Sequence, residues 1–316
     1  MPVGSRLGGA PGLEARSIAW RTEPVTTKDR AMDDTSFEPA RRGRTRLPSG
    51  RFLGWSEQGP EHGAPVLFFG GAGTSSALSM RREDVERAGV RLVAVDRPGL
   101  GASDPLAGRT LADWVEDVRD FVIARALGSP AIVAFSQGAP FGIACAADEI
   151  GRSLVIVSGT DELAAPHLAE LLVPDVRGIV QRVARDPEGA EAFFRGMTPA
   201  MMRQMVLAMI GDADRAVYAD PAFDAAYRRA LDEGFAQGGE GYARDTVLAF
   251  GAWPFDLGRI SMPVSLWYGA EDTSPVHSPD LGASLAHRIP SARRTVIDAA
   301  GGAILWTHGE AILAAI

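Results

Sequence analysis

The sequence predicts an α/β fold: a mainly parallel, eight-strand-type sheet with helices on both faces and a helical cap. From residue 50 onward, short apolar runs alternate with longer segments whose apolar residues recur at helical spacing. This alternation is typical of parallel strands joined by crossover helices. The interval 161–258 breaks the alternation because its pattern is almost entirely helical. We therefore expect a core formed by residues 46–160 and 259–316, with a cap inserted at 161–258.

The strand candidates are apolar runs, several of them continuous, as expected for strands covered on both faces. In chain order they are RFLGWSE, PVLFFG, RLVAVD, AIVAFS, SLVIVS, VSLWYG and RTVID. The clearest helix is TLADWVEDVRDFVIARAL, where Thr110 and Asp113 form a capping box at the start. Residues 1–45 are rich in Gly, Pro, Arg and Thr and lack apolar periodicity, so we expect a disordered tail. Translation beginning at Met1 or at Met32 fits this pattern equally.

The amino-acid composition and net charge limit the kinds of molecule that the protein is expected to bind. The chain has 316 residues, 46% of them hydrophobic, with 32 basic and 40 acidic side chains and a net charge of −8. A negative surface repels phosphate, so nucleic acid and anionic membranes are not expected partners. The single cysteine, Cys145, lies in the small-residue stretch GIACAA and indicates a core thiol in a reducing cytoplasm. No apolar region typical of a signal peptide follows the first basic residues. The oligomeric state stays open.

The stretch AFSQG, residues 134–138, follows the strand AIVAF and precedes the helix GAPFGIACAADEI. This strand–turn–helix context is the one required of a nucleophile elbow, G-x-S-x-G, with Ala134 in place of the first glycine. Ser136 would then lie in a strained turn with its hydroxyl exposed. An ordinary serine at a helix N-terminus is the alternative interpretation.

Longer stretches resemble the α/β-hydrolase superfamily, in particular its proline-iminopeptidase and haloperoxidase-like branch. The resemblance covers residues 50–316 and is carried by GWSEQGPEHGAPVLFFGGAG, RLVAVDRPGLGASDP, MPVSLWYGAEDTSPVH and IPSARRTVIDAAGGAILW. It implies that Ser136 is the nucleophile and Asp272 the triad acid, with Asp161 as another possible acid. It also implies an oxyanion hole formed by the backbone N–H of Gln137 and that of Gly71 or Ala72.

The resemblance fails at the triad histidine. Members of this superfamily have Gly-His before the last helix, whereas this chain has Gly301-Gly302. Removing the histidine from such a triad lowers turnover by about 10⁶. We therefore predict that Ser136 has no imidazole within about 2.6–3.2 Å, and that Gly302→His introduces weak esterase activity. Bottromycin-type peptide aspartate epimerases also lack the usual triad. In this respect the chain is similar in kind to them.

Five histidines could in principle replace the missing base. A surface or helix-terminal position is the expectation for each: His62, His167, His277, His287 and His308. Two of them stay in consideration. His167 begins the cap and could hang over the elbow, and His277 follows Asp272 by five residues in the same loop.

A pocket is expected beneath the cap, at the C-terminal edge of the parallel strands. Its walls are predicted to contain a set of residues from several loops: Ala72, Phe135, Ser136, Gln137, Asp161 and Gly302, together with His167, Tyr242 and Trp253 from the cap. Asp245 would face this cavity or brace the cap. The methionines of MTPAMMRQMVLAMI share one helical face and would either pack in the core or line an apolar pocket. No cofactor is expected, and no sequence pattern of metal ligands occurs.

Three functions follow from these observations. The first is a non-hydrolytic or substrate-assisted enzyme that acts on a peptide or natural-product-like substrate, for example an epimerase or another isomerase in natural product biosynthesis. The second is a serine hydrolase, an esterase or peptidase, whose histidine has moved to another position. The third is a protein that binds a small molecule or peptide without catalysis.

Overall fold

The computed structural model describes residue 32 and residues 35–316. Most of the tail predicted at 1–45, including Met1, therefore lies outside the described residues. The described residues form eight strands: β1 Arg41–Arg46, β2 Phe52–Gln58, β3 Ala64–Phe69, β4 Val90–Val95, β5 Ala131–Phe135, β6 Ser153–Val157, β7 Val264–Gly269 and β8 Ala292–Ile297.

Twelve α-helices occur in the same part of the chain. They are α1 Arg82–Ala88, α2 Leu111–Ala124, α3 Ala139–Ala147, α4 Pro174–Arg185, α5 Pro187–Phe194, α6 Pro199–Met209, α7 Asp212–Ala219, α8 Pro221–Gly234, α9 Glu240–Phe250, α10 Ala283–Arg288, α11 Ile304–Thr307 and α12 Gly309–Leu313. Short 3₁₀ helices are found at Ser136–Gly138, Pro166–Leu168 and Leu257–Arg259. None of the described helices has both the length and the apolar character that crossing a bilayer would require.

All eight strands form one sheet in the order β1-β2-β4-β3-β5-β6-β7-β8. Only β2 runs antiparallel to its neighbours β1 and β4, and the ladders from β4 to β8 are all parallel. The predicted fold class, a mainly parallel eight-strand sheet with helices on both faces, is confirmed. In a parallel sheet of this kind, the loops that follow β3, β5, β6, β7 and β8 meet at one edge.

Strand β1 corrects the prediction for the tail. Residues 41–45 were expected to be disordered, yet Arg41–Arg46 pair with β2 at the edge of the sheet. Their side chains alternate between half-buried and exposed positions, so the strand has no apolar alternation that a sequence pattern could reveal. The backbone ladder and the ion pair between Arg41 and Glu57, 2.8 Å, hold it in place.

The two faces of the sheet bury separate apolar clusters. Along β3, Val66 and Phe68 point to one cluster while Leu67 and Phe69 point to the other, because successive strand residues face opposite sides. Helices α2, α3 and α10 cover the second cluster. Helix α2 begins with the predicted capping box, in which the Thr110 hydroxyl accepts from the Asp113 N–H.

Six helices, α4–α9, occupy the fully described interval between β6 and β7, and that interval has no strand. Their apolar side chains join the first cluster, on the same side of the sheet as α1, α11 and α12. Trp306 of α11 connects these parts, because its ring lies 4.6 Å from that of Phe223 in α8 and 4.9 Å from that of Phe135 at the end of β5. The cap therefore packs directly over the elbow.

Substitution of Trp114 in α2 tests how much packing in the second apolar cluster stabilises the fold. Trp114 is fully buried and packs edge-on against Phe69 and Phe141. We expect Trp114→Ala to lower the free energy of unfolding by about 3–5 kcal/mol, the usual cost of truncating a buried aromatic side chain. Ile123, on the same helix but 70% exposed, is the matched control, and Ile123→Ala should change stability by no more than about 0.5 kcal/mol. Urea denaturation measures both; equal losses would contradict the assignment of the buried face.

Candidate active site

Ser136 lies in a tight turn between β5 and α3. Its φ of +51° is in the left-handed region, which L-residues rarely adopt and which costs about 1–3 kcal/mol. Gly138 makes the turn possible, since a Cβ there would lie 2.2 Å from the carbonyl oxygen of Phe69. The chain thus passes from strand to helix within three residues, and the Ser136 hydroxyl projects from the C-terminal edge of the sheet.

A histidine lies beside this hydroxyl. His277 Nε2 is 2.9 Å from Ser136 Oγ, and His277 Nδ1 is 2.7 Å from Asp272 Oδ2. Because the carboxylate can only accept, Nδ1–H donates to Asp272 and Nε2 is left to accept from the serine. The prediction that Ser136 has no imidazole within hydrogen-bonding distance is wrong. The expectation that His277 occupies an ordinary surface position is also wrong, since this side chain is buried.

The loop after β7 folds so that its acid and its histidine meet. The N–H of Asp272 donates to Gly269 O at 3.2 Å, and Asp272 Oδ1 accepts from the N–H of Ser274 at 3.0 Å. The N–H of His277 in turn donates to Ser274 O at 3.3 Å. These turns reverse the chain between residues 272 and 277, which brings both side chains to the same side of the loop.

Ser278, the next residue, attaches this loop to the end of β6. Its N–H donates to Gly159 O, and its hydroxyl lies 2.9 Å from Asp161 Oδ2 and 2.9 Å from Asp280 Oδ1. Asp161 therefore contacts the residue that follows His277 rather than the histidine ring. Burial raises the pKa of Asp161 to about 6, above its ordinary value of 3.8.

Gly302 lies beside the triad, as its register in the sequence predicts. A Cβ on Gly302 would be 2.9 Å from Asp272 Oδ1, too close for an unshifted side chain. The N–H groups of Gly302 and Ala303 donate to the carboxylate of Asp214, in α7 of the cap, at 2.8 and 2.9 Å. Asp214 is buried, and burial raises the pKa of its carboxyl group. The loop that would ordinarily carry a histidine instead binds a carboxylate of the cap.

Two candidate oxyanion-hole donors follow β3. Gly71 and Ala72 line the same cavity as Ser136, and their N–H groups donate to no other described residue. Gln137, the third candidate, is the second residue of the 3₁₀ helix Ser136–Gly138, where N–H groups lack partners within the helix. Its side-chain amide donates to Thr246 Oγ1 at 3.2 Å.

The cavity above Ser136 has an empty volume of about 840 Å³, part of which is open to solvent. Its walls are mainly apolar and come from the strand edge, the cap and α11: Phe68, Leu78, Phe135, Met202, Met205, Val206, Met209, Ile210, Tyr218, Tyr227, Val276 and Trp306. Three of the methionines in the predicted stripe, Met202, Met205 and Met209, line it. The carboxylates of Asp214 and Asp272 are also on its wall.

Five residues predicted at the cavity do not line it. The side chain of Gln137 is buried, and its amide contacts Thr246 of α9. Asp161 is buried against Ser278, and the buried ring of Tyr242 packs 5.5 Å from that of Phe235. Trp253 is buried, and its backbone N–H donates to Glu162 Oε1 at 2.9 Å. The exposed His167 lines a separate surface groove instead of covering the elbow. These errors share a cause: the direction in which a loop or cap side chain points cannot be derived from sequence spacing alone.

The sequence analysis missed Arg97 and Asp214, both of which fix loops around Ser136. Arg97 stands in the stretch DRPG, which was recognised, so a buried role for it could have been suspected. Nothing in the sequence around Asp214 indicates its contact with residues 302 and 303. In the described part of the chain, no group of three or more His, Cys, Asp or Glu side chains is arranged to hold a metal ion.

Comparison with known proteins agrees with this geometry. Residues 64–309 match the family described as the alpha/beta hydrolase fold. The chain belongs to the alpha/beta hydrolase fold family. No curated protein sequence matches it.

Solved structures of this fold resemble the protein at low sequence identity. A bromoperoxidase from Bacillus anthracis is 17% identical with a TM-score of 0.65, over 87% of this chain and 98% of that chain. An esterase from Rhodococcus is 17% identical with a TM-score of 0.60, over 86% and 95%. An enol-lactonase from Burkholderia xenovorans is 20% identical with a TM-score of 0.61, over 86% and 97%. At such identities the likeness establishes the fold alone.

Asp161 should give this α/β hydrolase a distinctive dependence of stability on pH. A carboxyl group whose pKa is raised on folding favours the folded state below its unfolded pKa, and this contribution disappears as pH rises through the folded pKa. The window is therefore about pH 4–6, and a two-unit shift corresponds to about 3 kcal/mol at most. Asp280 and Arg288 face the group with opposite effects, the first raising and the second lowering the pKa.

We expect Asp161→Asn to gain stability relative to wild type as pH increases from 4 to 7, because the amide does not ionise. Urea denaturation at several pH values measures this difference. Asp298, an exposed carboxylate, provides the control: Asp298→Asn should keep a constant difference from wild type. A constant difference for Asp161→Asn as well would mean that folding does not raise the pKa of Asp161.

Proposed function

We propose that the protein is a serine hydrolase that cleaves carboxylic esters with a neutral, largely apolar acyl group. One observation carries the proposal: the hydrogen-bonded series Ser136–His277–Asp272, with distances of 2.9 and 2.7 Å. A nucleophile, a base and an orienting carboxylate in this order form the arrangement that activates a serine hydroxyl. The isomerase interpretation depended on the absence of a base near Ser136, and the position of His277 removes that reason.

In the first half of the reaction, Ser136 Oγ bonds to the ester carbonyl carbon as its proton passes to His277 Nε2. Asp272 accepts from His277 Nδ1–H throughout, which holds the ring and stabilises its positive charge. The negative charge on the former carbonyl oxygen is bound by the N–H of Gln137 and by that of Gly71 or Ala72. The C–O bond to the alcohol then breaks, and the leaving oxygen takes the proton from Nε2.

In the second half, water attacks the acyl group on Ser136. His277 Nε2 removes a proton from the water and returns it to Ser136 Oγ when the acid leaves. The same base therefore serves both halves, and no further cofactor is needed for the atoms and charges to balance.

The cavity supports the choice of substrate. Met202, Met205 and Met209 supply an adaptable apolar wall that accommodates an extended alkyl or aryl group. The carboxylates of Asp214 and Asp272 on the same wall, with the net charge of −8, disfavour an anionic acyl chain. We therefore expect p-nitrophenyl butyrate or octanoate to be hydrolysed faster than the monosuccinate ester.

The first test removes the nucleophile and the base. Wild type should react with a fluorophosphonate at Ser136 and hydrolyse p-nitrophenyl esters, whereas Ser136→Ala should do neither. His277→Ala should lower kcat/KM by about 10⁴–10⁶, as expected on losing a triad base. His167→Ala is the matched control and should behave as wild type, because His167 lies in a different groove. Esterase activity that persists in Ser136→Ala, or a wild type that is neither labelled nor active, would overturn the proposal and favour proton transfer or simple binding.

The second test adds a methyl group at Gly302. The new Cβ would meet Asp272 Oδ1 at 2.9 Å and push the carboxylate away from His277. We expect Gly302→Ala to lower kcat by about tenfold to a hundredfold with little change in KM, less than the roughly 10⁴-fold cost of replacing the orienting carboxylate. For the same reason, Gly302→His should reduce activity rather than introduce it.

Gly178 supplies the control for this change. It is exposed in α4, and a Cβ there would meet no atom within 4 Å. Gly178→Ala should leave kcat and KM unchanged. Unaltered kinetics in Gly302→Ala would mean that Asp272 has more freedom than its contacts indicate.

A further inference from the structure

Arg97 holds the loop that carries two of the oxyanion-hole candidates. Its Nη1 donates to Gly70 O at 2.7 Å and its Nη2 donates to Gly71 O at 2.9 Å. Its Nε donates to Asp245 Oδ2, in α9 of the cap, at 2.6 Å. The side chain is 1% exposed, and its guanidinium lies 4.9 Å from the centre of the Phe141 ring. A charged group is thus buried with all three kinds of guanidinium nitrogen occupied.

Each of the two carbonyl groups that Arg97 binds shares a peptide unit with the N–H of an oxyanion-hole candidate. The carbonyl of Gly70 is in the same peptide plane as the N–H of Gly71, and the carbonyl of Gly71 is in the same plane as the N–H of Ala72. A cation that binds the oxygen of a peptide unit fixes its plane and polarises its N–H, because hydrogen bonds in series strengthen one another. Arg97 therefore acts on both candidate donors through the carbonyl groups of the same peptide units.

Arg109 provides a natural comparison. It is equally buried, pairs with the other oxygen of Asp245, and lies 5.9 Å from the Phe141 ring. Its other acceptors are the carbonyl groups of Pro98 and Gly241, both at 3.3 Å. Arg109 thus shares the ion pair and the burial of Arg97 but touches neither peptide of the oxyanion loop.

We infer that Arg97 is a positioning residue for the oxyanion hole: it orients and polarises the peptide units that present the N–H groups of Gly71 and Ala72. This inference rests on the proposed function, since the oxyanion that it invokes is the one formed in the tetrahedral intermediates of acyl transfer. Asp245 extends the connection to the cap, because it fixes the Nε side of the same guanidinium. Helix α9 and the oxyanion loop are thereby held through one side chain.

The experiment compares Arg97→Met with Arg109→Met, which remove the same charge from the same carboxylate. Each variant is examined for kcat, KM, the inhibition constant of an aryl trifluoromethyl ketone, and thermal stability. Losing one oxyanion donor typically costs about 10²–10³ in kcat; here the donors remain but are less well oriented. We therefore expect Arg97→Met to lower kcat by about tenfold to a hundredfold at nearly constant KM, and to weaken the ketone by the same factor.

Arg109→Met should be destabilised to a similar degree but keep kcat and the ketone inhibition constant within about twofold of wild type. Where Arg97→Met does not fold, Arg97→Lys is measured instead. The lysine keeps the buried charge but cannot bind two carbonyl groups at once. We therefore expect kcat and the affinity for the ketone both to fall, by smaller factors than those expected for Arg97→Met.

The outcomes separate the two proposals. An active wild type with Arg97 and Arg109 variants that lose kcat equally, or with an Arg97 variant whose ketone affinity is unchanged, would overturn the role of Arg97 and leave serine hydrolysis intact. A wild type that neither hydrolyses esters nor reacts with the fluorophosphonate overturns the proposed function, and this inference with it.

Discussion

The left-handed backbone at Ser136 is the constraint on which the other parts of the site depend. With φ at +51°, the chain turns from β5 into α3 at once, and the hydroxyl stands clear of both elements. Gly138 permits this turn by leaving room for the carbonyl of Phe69. Every other group of the site is placed relative to this hydroxyl: the imidazole on one side, the oxyanion loop on another and the methionine wall above.

The sheet was predictable because most of its strands are covered on both faces and are therefore continuous apolar runs. Strand β1 escaped prediction for the opposite reason, since an edge strand rich in arginine shows no apolar pattern. Ser136 and Asp272 were found because each directly follows a recognisable strand. The position of the His277 ring beside Ser136 could not be predicted, because a loop has no periodicity from which to infer the direction of a side chain. Its orientation results from turns within the loop and from contacts of Ser278 with Gly159 and Asp161.

The loop that contains Gly302 connects the core to the cap and lies against Asp272. The N–H groups of Gly302 and Ala303 bind Asp214 of the cap, and a side chain at 302 would press on Asp272. Glycine at this position therefore leaves room for Asp272, whose carboxylate occupies the space that a side chain would take. On the other side of Ser136, Arg97 and Asp245 join the oxyanion loop to the cap. Two of the contacts between the cap and the core therefore lie at loops around Ser136.

Asp272 and His277 are separated by only four residues of one loop. Where a triad takes its acid and base from different loops, a shift of one strand against the next alters the distance between them. Here both groups follow β7, which lies between β6 and β8 in the sheet. Sliding or opening between β7 and β8 therefore alters neither the acid–base pair nor its distance from Ser136 at the end of β5. The pair is also encoded by a single short stretch of sequence. One insertion or deletion inside it would disable both members at once, whereas exchange of the whole loop between related chains would transfer a complete acid–base unit.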